Sequence, residues 1–200
     1  NCINKKNNKI KKKNNTKEMN LKDKIKMDES QKRVKRELII AIDPDNNESG
    51  VGMVYTETKQ AMAAKLTFPK LIEYLRETIR TKPRGYFKVV IEGGWLNESN
   101  WHIKQSCRYV RDKEARAAAI GRSTGMNHQT GILIQEYCDY LGIDNSVVYP
   151  LKKCWKGKDG KITQEEMKKF IPDIPRMNQD ERDALLLAWV YADLPIKMKG

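Results

Sequence analysis

The chain changes character at Glu37. From Leu38 to Ile42 the segment ELIIAID carries no polar residue, and then it stops at an acid. A strand with one wet face alternates, so an unbroken run this short reads as a strand buried on both faces. After the turn PDNNESG, the segment VGMVY reads as a second strand and QAMAAKL as a weaker third that returns beside it in a hairpin. PKLIEYLRETIRT carries Leu71, Leu75 and Ile79 at steps of four behind Pro69, which suits the first turn of a helix, so an amphipathic helix is expected there. FKVVIE is another apolar run ending in an acid. With the first strand and the helix it makes a β-α-β crossover, and therefore a parallel pair.

The stretch from Arg108 to Gly142 reads as helical. Ala115, Ala117, Ala118, Ala119, Gly121 and Gly125 give it a face of small side chains, and small residues at i and i+4 allow close contact with another helix. SVVYP is a short last strand. TQEEMKKFIP is a helix with a Thr163…Glu166 capping box and a stop at Pro172, and NQDERDALLLAWVY is a final apolar helix that Asn178 can cap, with Glu181 three residues on.

Charge separates the tail from this pattern. Residues 1–36 hold 14 Lys/Arg against 4 Asp/Glu, a surplus of +10 out of the chain's +13. A segment so charged and so poor in apolar residues cannot bury enough surface to fold alone, so a basic, disordered tail over residues 1–36 and one α/β domain over 37–200 are expected. Such a tail suits a non-specific arm for polyanions, or equally a solubilising extension. No apolar run approaches the roughly 18 residues of a membrane helix, and Cys2, Cys107, Cys138 and Cys154 form no CxxC pair, so a cytoplasmic protein with reduced thiols, no membrane contact and no zinc site is expected.

The chemistry lies in the acids. Asp43 and Glu92 each end a strand, and the carboxyl ends of adjacent parallel strands share one edge of a sheet, where α/β sites are built. On the last helix Asp180 and Asp183 are three apart and share a face that Leu187 continues as apolar surface. Taken alone, each acid is more often a strand-end or cap residue. Capping accounts for Glu181 and is an open reading of Asp180. It does not account for Asp183, which lies past the first turn. A cluster of buried carboxylates needs cations, and magnesium or manganese suits oxygen ligands. Two such ions about 3.5–4 Å apart can activate a water and stabilise the leaving oxygen of a phosphodiester.

Four segments in this order resemble the RuvC-type Holliday-junction resolvases of the RNase H-like superfamily: AIDPDNNESGVG with Asp43, Gly50 and Gly52; VVIEGG with Glu92; the small-residue helix around AIGRSTG; and DERDALLLAWVYA. The match spans residues 38–193. It implies an RNase H-like fold with a mixed five-stranded sheet flanked by helices, and a homodimer that cuts two strands of a four-way junction. It also implies Asp43, Glu92, Asp180 and Asp183 as catalytic ligands of two Mg2+ or Mn2+ ions, and it places Lys156 and Lys161 against phosphate. Asp45 departs from the family's usual glycine after Asp-Pro, and the segment between Glu92 and Gly121 is longer than the family pattern.

That segment holds Trp95 and Trp101, followed by Arg108 and Arg111. Aromatics beside basic residues suit stacking on unpaired bases, while packing under the loop is the competing reading of the tryptophans. His102 and His128 read as solvent-facing or structural. Two other functions stay open on sequence alone: an RNase H-like nuclease for RNA–DNA hybrid, and a non-catalytic nucleic-acid-binding protein of the same fold.

Overall fold

The computed structural model describes residues 36–97 and 113–196. The basic segment before Arg36 and the residues Trp101, His102, Arg108 and Arg111 lie outside the described residues. Among those described, no helix is long and apolar enough to cross a membrane.

Five strands form one mixed sheet: β1 (Leu38–Asp43), β2 (Ser49–Tyr55), β3 (Ala61–Leu66), β4 (Phe87–Glu92) and β5 (Asn145–Val148). Their order is β3-β2-β1-β4-β5. β1 pairs antiparallel with β2 and parallel with β4, β2 pairs antiparallel with β3, and β4 pairs parallel with β5. The helices are α1 (Phe68–Thr81), α2 (Lys113–Tyr140), α3 (Gln164–Lys168) and α4 (Gln179–Tyr191).

β1 lies in the middle of the sheet, which is why its sequence has no polar side. Ile39 and Ala41 join the layer under α4, with Leu185, Leu187 and Trp189; Leu38, Ile40 and Ile42 join the opposite layer, with Leu71 and Leu75 of α1 and Ile134 and Cys138 of α2. Burial pushes the Cys138 thiol up to about 12, which makes it a core residue without thiolate chemistry at neutral pH.

Arg36, counted with the tail by charge, belongs to the folded part. Its guanidinium donates to Asp144 Oδ2 at 2.7 and 3.0 Å and to the Gly85 carbonyl at 2.8 Å. Other expectations are also corrected. α1 buries Leu71, Leu75 and Thr78, while Ile79 is exposed. Eight residues overshoot two turns of a 3.6-residue helix and seven nearly complete them, so position 78 returns to the sheet and 79 swings outward. The Thr78 hydroxyl is satisfied by the Tyr74 carbonyl at 2.8 Å. α3 ends at Lys168, short of Pro172, where the chain tightens into i→i+3 bonds. The small-residue face of α2 does not pack on another helix among the described residues. A Cβ at Gly121 or Gly125 would meet no atom within 4 Å, and Ala115, Ala118 and Ala119 are exposed.

Candidate active site

Strand register brings the first two acids together. Ile42 is the partner of Ile91, so Asp43 and Glu92, the next residues on each strand, stand side by side at the carboxyl end of a parallel pair. The alternation along each strand then sets their direction: Asp43 continues Ile39 and Ala41, and Glu92 continues Val90, all on the α4 face of the sheet. Both are half-buried.

α4 delivers the other two. Its start is fixed by a capping box, in which the Asn178 side chain accepts from the Glu181 amide at 3.0 Å and the Glu181 carboxylate accepts from the Asn178 amide at 2.8 Å. Glu181 is thereby a cap. The helix then lies against β2 at its two glycines: a Cβ at Gly50 would overlap the Asp180 carbonyl, and one at Gly52 would stand 2.6 Å from Leu185 Cα. Glycine is required here because backbone approaches backbone, with no room for a methyl group.

The four acids are not equivalent. Asp183 is the more buried of the helix pair, with a side-chain exposure of 17% against 41% for Asp180. Both Asp183 oxygens are engaged: Lys161 Nζ donates to Oδ2 at 2.7 Å and Gln179 Nε2 donates to Oδ1 at 2.7 Å. Gln179 is itself held, since Arg182 Nη2 donates to its side-chain oxygen at 2.7 Å. Asp180 is turned to Lys65 on β3, with Nζ to Oδ2 at 3.0 Å. No three His, Cys, Asp or Glu side chains among the described residues form a ready-made metal cage.

Electrostatics join the acids all the same. Burial, and then the fields of Glu92 and Asp183, hold the Asp43 carboxyl well above the usual carboxylate range, with Lys161 opposing. Burial, and then Asp183, push Glu92 up to about 7 against the pull of Lys161 and Lys153. Burial works against the Lys161 ammonium, but the bond to Asp183 and the fields of Asp43 and Asp180 outweigh it and raise its pKa. Lys161 therefore sits among the carboxylates as their cation.

Around this centre the loop after β5 carries Lys152, Lys153, Lys156 and Lys158, all exposed. Lys156 and Lys161 are thus in different situations, one at the rim and one inside. Trp95, in the 3-10 turn Gly94–Leu96, is partly buried and packs against the layer under α1 and α2. A Cβ at Gly131 would overlap its ring, and His128 meets it edge-on with centroids 6.1 Å apart.

Asp45 makes the turn after β1 without glycine. Its Oδ1 accepts from the Asn47 amide at 2.9 Å, and Asn127 on α2 both donates to Asp45 Oδ2 at 3.2 Å and accepts from the Asn46 amide at 3.0 Å. Sequence reasoning did not single out Lys65, Gln179 or Asn127, and it gave Glu166 only a capping role. Only Lys65 left a sign, as the charged member of an alternation whose other members, Ala61 and Ala63, face α4.

No protein-family model and no curated protein matches the chain.

Proposed function

We propose that the protein is a divalent-metal-dependent endonuclease of RNase H-like fold, a RuvC-type resolvase that cuts four-way junctions or other branched DNA. The mixed five-stranded sheet flanked by helices is the architecture that the resemblance implies. The observation that carries the reading is the adjacency of Asp43 and Glu92 at the carboxyl ends of paired strands, with Asp183 of the overlying helix near enough for its charge to act on both and Asp180 one turn away. Acids that raise one another's pKa cluster at functional sites more often than acids serving only as strand ends and caps.

The donor set suits a divalent ion. All four side chains offer oxygen, the ligand type magnesium and manganese prefer, and the cluster already holds a positive charge in the Lys161 ammonium. When bound, such ions supply an activated water and counter-charge for the leaving oxygen. The chain's own residues do the rest. Asp43, Glu92, Asp180 and Asp183 are the ligands, Gln179 orients Asp183, and the lysines of the 152–161 loop attract the phosphate backbone to the rim.

Paired cuts require two sites related by a two-fold axis. The outward face of α2 suits a second copy of this chain, because Met126, Leu133 and Tyr140 are exposed at seven-residue spacing. Antiparallel pairing about Gln129 and Thr130 sets Met126 of one copy against Leu133 of the other, and Arg122 beside Glu136. Both charges are exposed and of opposite sign.

The deciding experiment is cleavage of end-labelled four-way junction, linear duplex, single strand and RNA–DNA hybrid in magnesium and in manganese, with Asp43→Asn as control. Symmetric nicks in the junction that vanish in the variant support the reading. Cleavage of hybrid alone changes the substrate to RNA–DNA hybrid, and binding without any cleavage makes the protein a non-catalytic nucleic-acid-binding module.

A further inference from the structure

Lys161 reaches the acids from a loop built to deliver it. Between β5 and α3 the chain doubles back: the Trp155 amide donates to the Gly160 carbonyl at 3.0 Å and the Gly157 amide to the Lys161 carbonyl at 2.9 Å. Gly160 takes φ +73°, a left-handed conformation that glycine adopts without strain. The loop is then tied to α3 through one carboxylate. Glu166, 3% exposed, accepts from the Thr163 amide at 3.0 Å, from the Thr163 hydroxyl at 3.1 Å and from the Lys156 amide at 3.1 Å. A capping box explains the Thr163 bonds but not the one to Lys156, which lies ten residues away along the chain.

The delivered ammonium blocks one side of Asp183. An ion on that carboxylate would bind at about 2.1 Å from oxygen, where it would meet one of two donors already at 2.7 Å. Gln179 is held by Arg182, whereas Lys161 stands on a flexible four-carbon stem and repels any cation that approaches. Of the two, Lys161 is the group that can leave.

We propose that Lys161 is a stand-in cation that occupies Asp183 beside the strand-end acids until divalent metal displaces it, and that Glu166 is the positioning residue that seats it. This deepens the nuclease reading and rests on it. Metal loading is then an exchange of one cation for another, and Lys161 becomes available to a phosphate only after it has left Asp183.

The test is Mn2+ and Mg2+ binding to the full chain by calorimetry, with thermal melts in chelator and in saturating metal, for the natural protein, Lys161→Met and Glu166→Gln. With the ammonium gone, Lys161→Met should melt lower in chelator at pH 8, bind Mn2+ about tenfold more tightly or better, and recover or overtake the natural protein's melting temperature in metal. Glu166→Gln, which keeps the shape of the clamp but weakens it, should move metal affinity the same way by less. Unchanged metal affinity in Lys161→Met overturns the proposal while leaving the metal site intact. If neither the natural protein nor Lys161→Met binds metal at millimolar concentration, the nuclease reading falls as well, so the two failures are distinguishable.

Discussion

Gly50 on β2 lies directly beneath the Asp180 carbonyl of α4, so that a side chain at 50 would have its Cβ 2.8 Å from the carbonyl carbon. Gly50 is also the register partner of Asp43. The glycine thereby lets a helix carrying two acids settle on the strand pair that carries the others. Gly50→Ala should lift the start of α4 and destabilise the protein by roughly 1–3 kcal/mol, the usual cost of overpacking a tight contact. Denaturant unfolding measures it, and a variant as stable as the natural protein would show that α4 does not seat there.

Asp43→Asn and Asp183→Asn should both abolish metal-dependent cleavage while leaving DNA binding intact or stronger, because each removes negative charge near phosphate. Their stabilities should diverge. Asp43→Asn relieves repulsion and should be neutral or stabilising in chelator. Asp183→Asn strips Lys161 of its charged acceptor and should cost roughly 1–3 kcal/mol. Parallel melts of both variants in chelator decide the point, and equal melting temperatures would contradict the arrangement.

The pH dependence of the metal-free protein has a defined sign. Burial, then Asp183, push Glu92 up to about 7 from an ordinary 4.5, and Asp43 is raised as well. Between those values the folded chain holds protons that the unfolded chain has released. The stability contributed by these two groups is therefore complete below about pH 4.5 and lost as pH rises through about 7. Lys161 and Lys153 face the same acids and limit the loss. Melting temperature in chelator should fall across this window and level off above it, and Asp43→Asn should flatten the fall. A melting curve that rises from pH 5 to 8 in the natural protein but not in that variant would refute the assignment.

Asn127 joins the turn after β1 to α2 by two hydrogen bonds. Asn127→Ala should cost about 1–2 kcal/mol and release the Asn46 amide, which accelerates its hydrogen exchange. Exchange at Asn46 unchanged in the variant would mean that the turn holds itself.

Removal of residues 1–35 takes away most of the chain's positive surplus. Affinity for every DNA form should fall together, and the slope of log affinity against log salt should become shallower, because fewer counterions are displaced. Cleavage at saturating DNA should be unchanged. An unaltered salt slope would make the tail a bystander in binding.

The features legible in the sequence are those that short-range physics controls. The unbroken apolar runs ending at Asp43 and Glu92 became the central parallel strands because such runs are stable only with both faces covered. The capping boxes at Thr163–Glu166 and Asn178–Glu181 formed as their three-residue spacing predicts, and the acid on the other side of Asp180, Glu181, went to the cap. Where charge meets charge depends instead on how distant elements pack. Lys161 and Asp183 are 22 residues apart, Lys65 and Asp180 farther, and nothing local to either lysine specifies the acid it meets. Their pairing follows from sheet register, from two glycines that let α4 close on β2, and from a carboxylate, Glu166, whose capping role was visible in the sequence while its hold on Lys156 was not. Local preferences act over one helical turn or one strand; the position of a cation among buried acids depends on how whole elements pack, and only the folded chain specifies that.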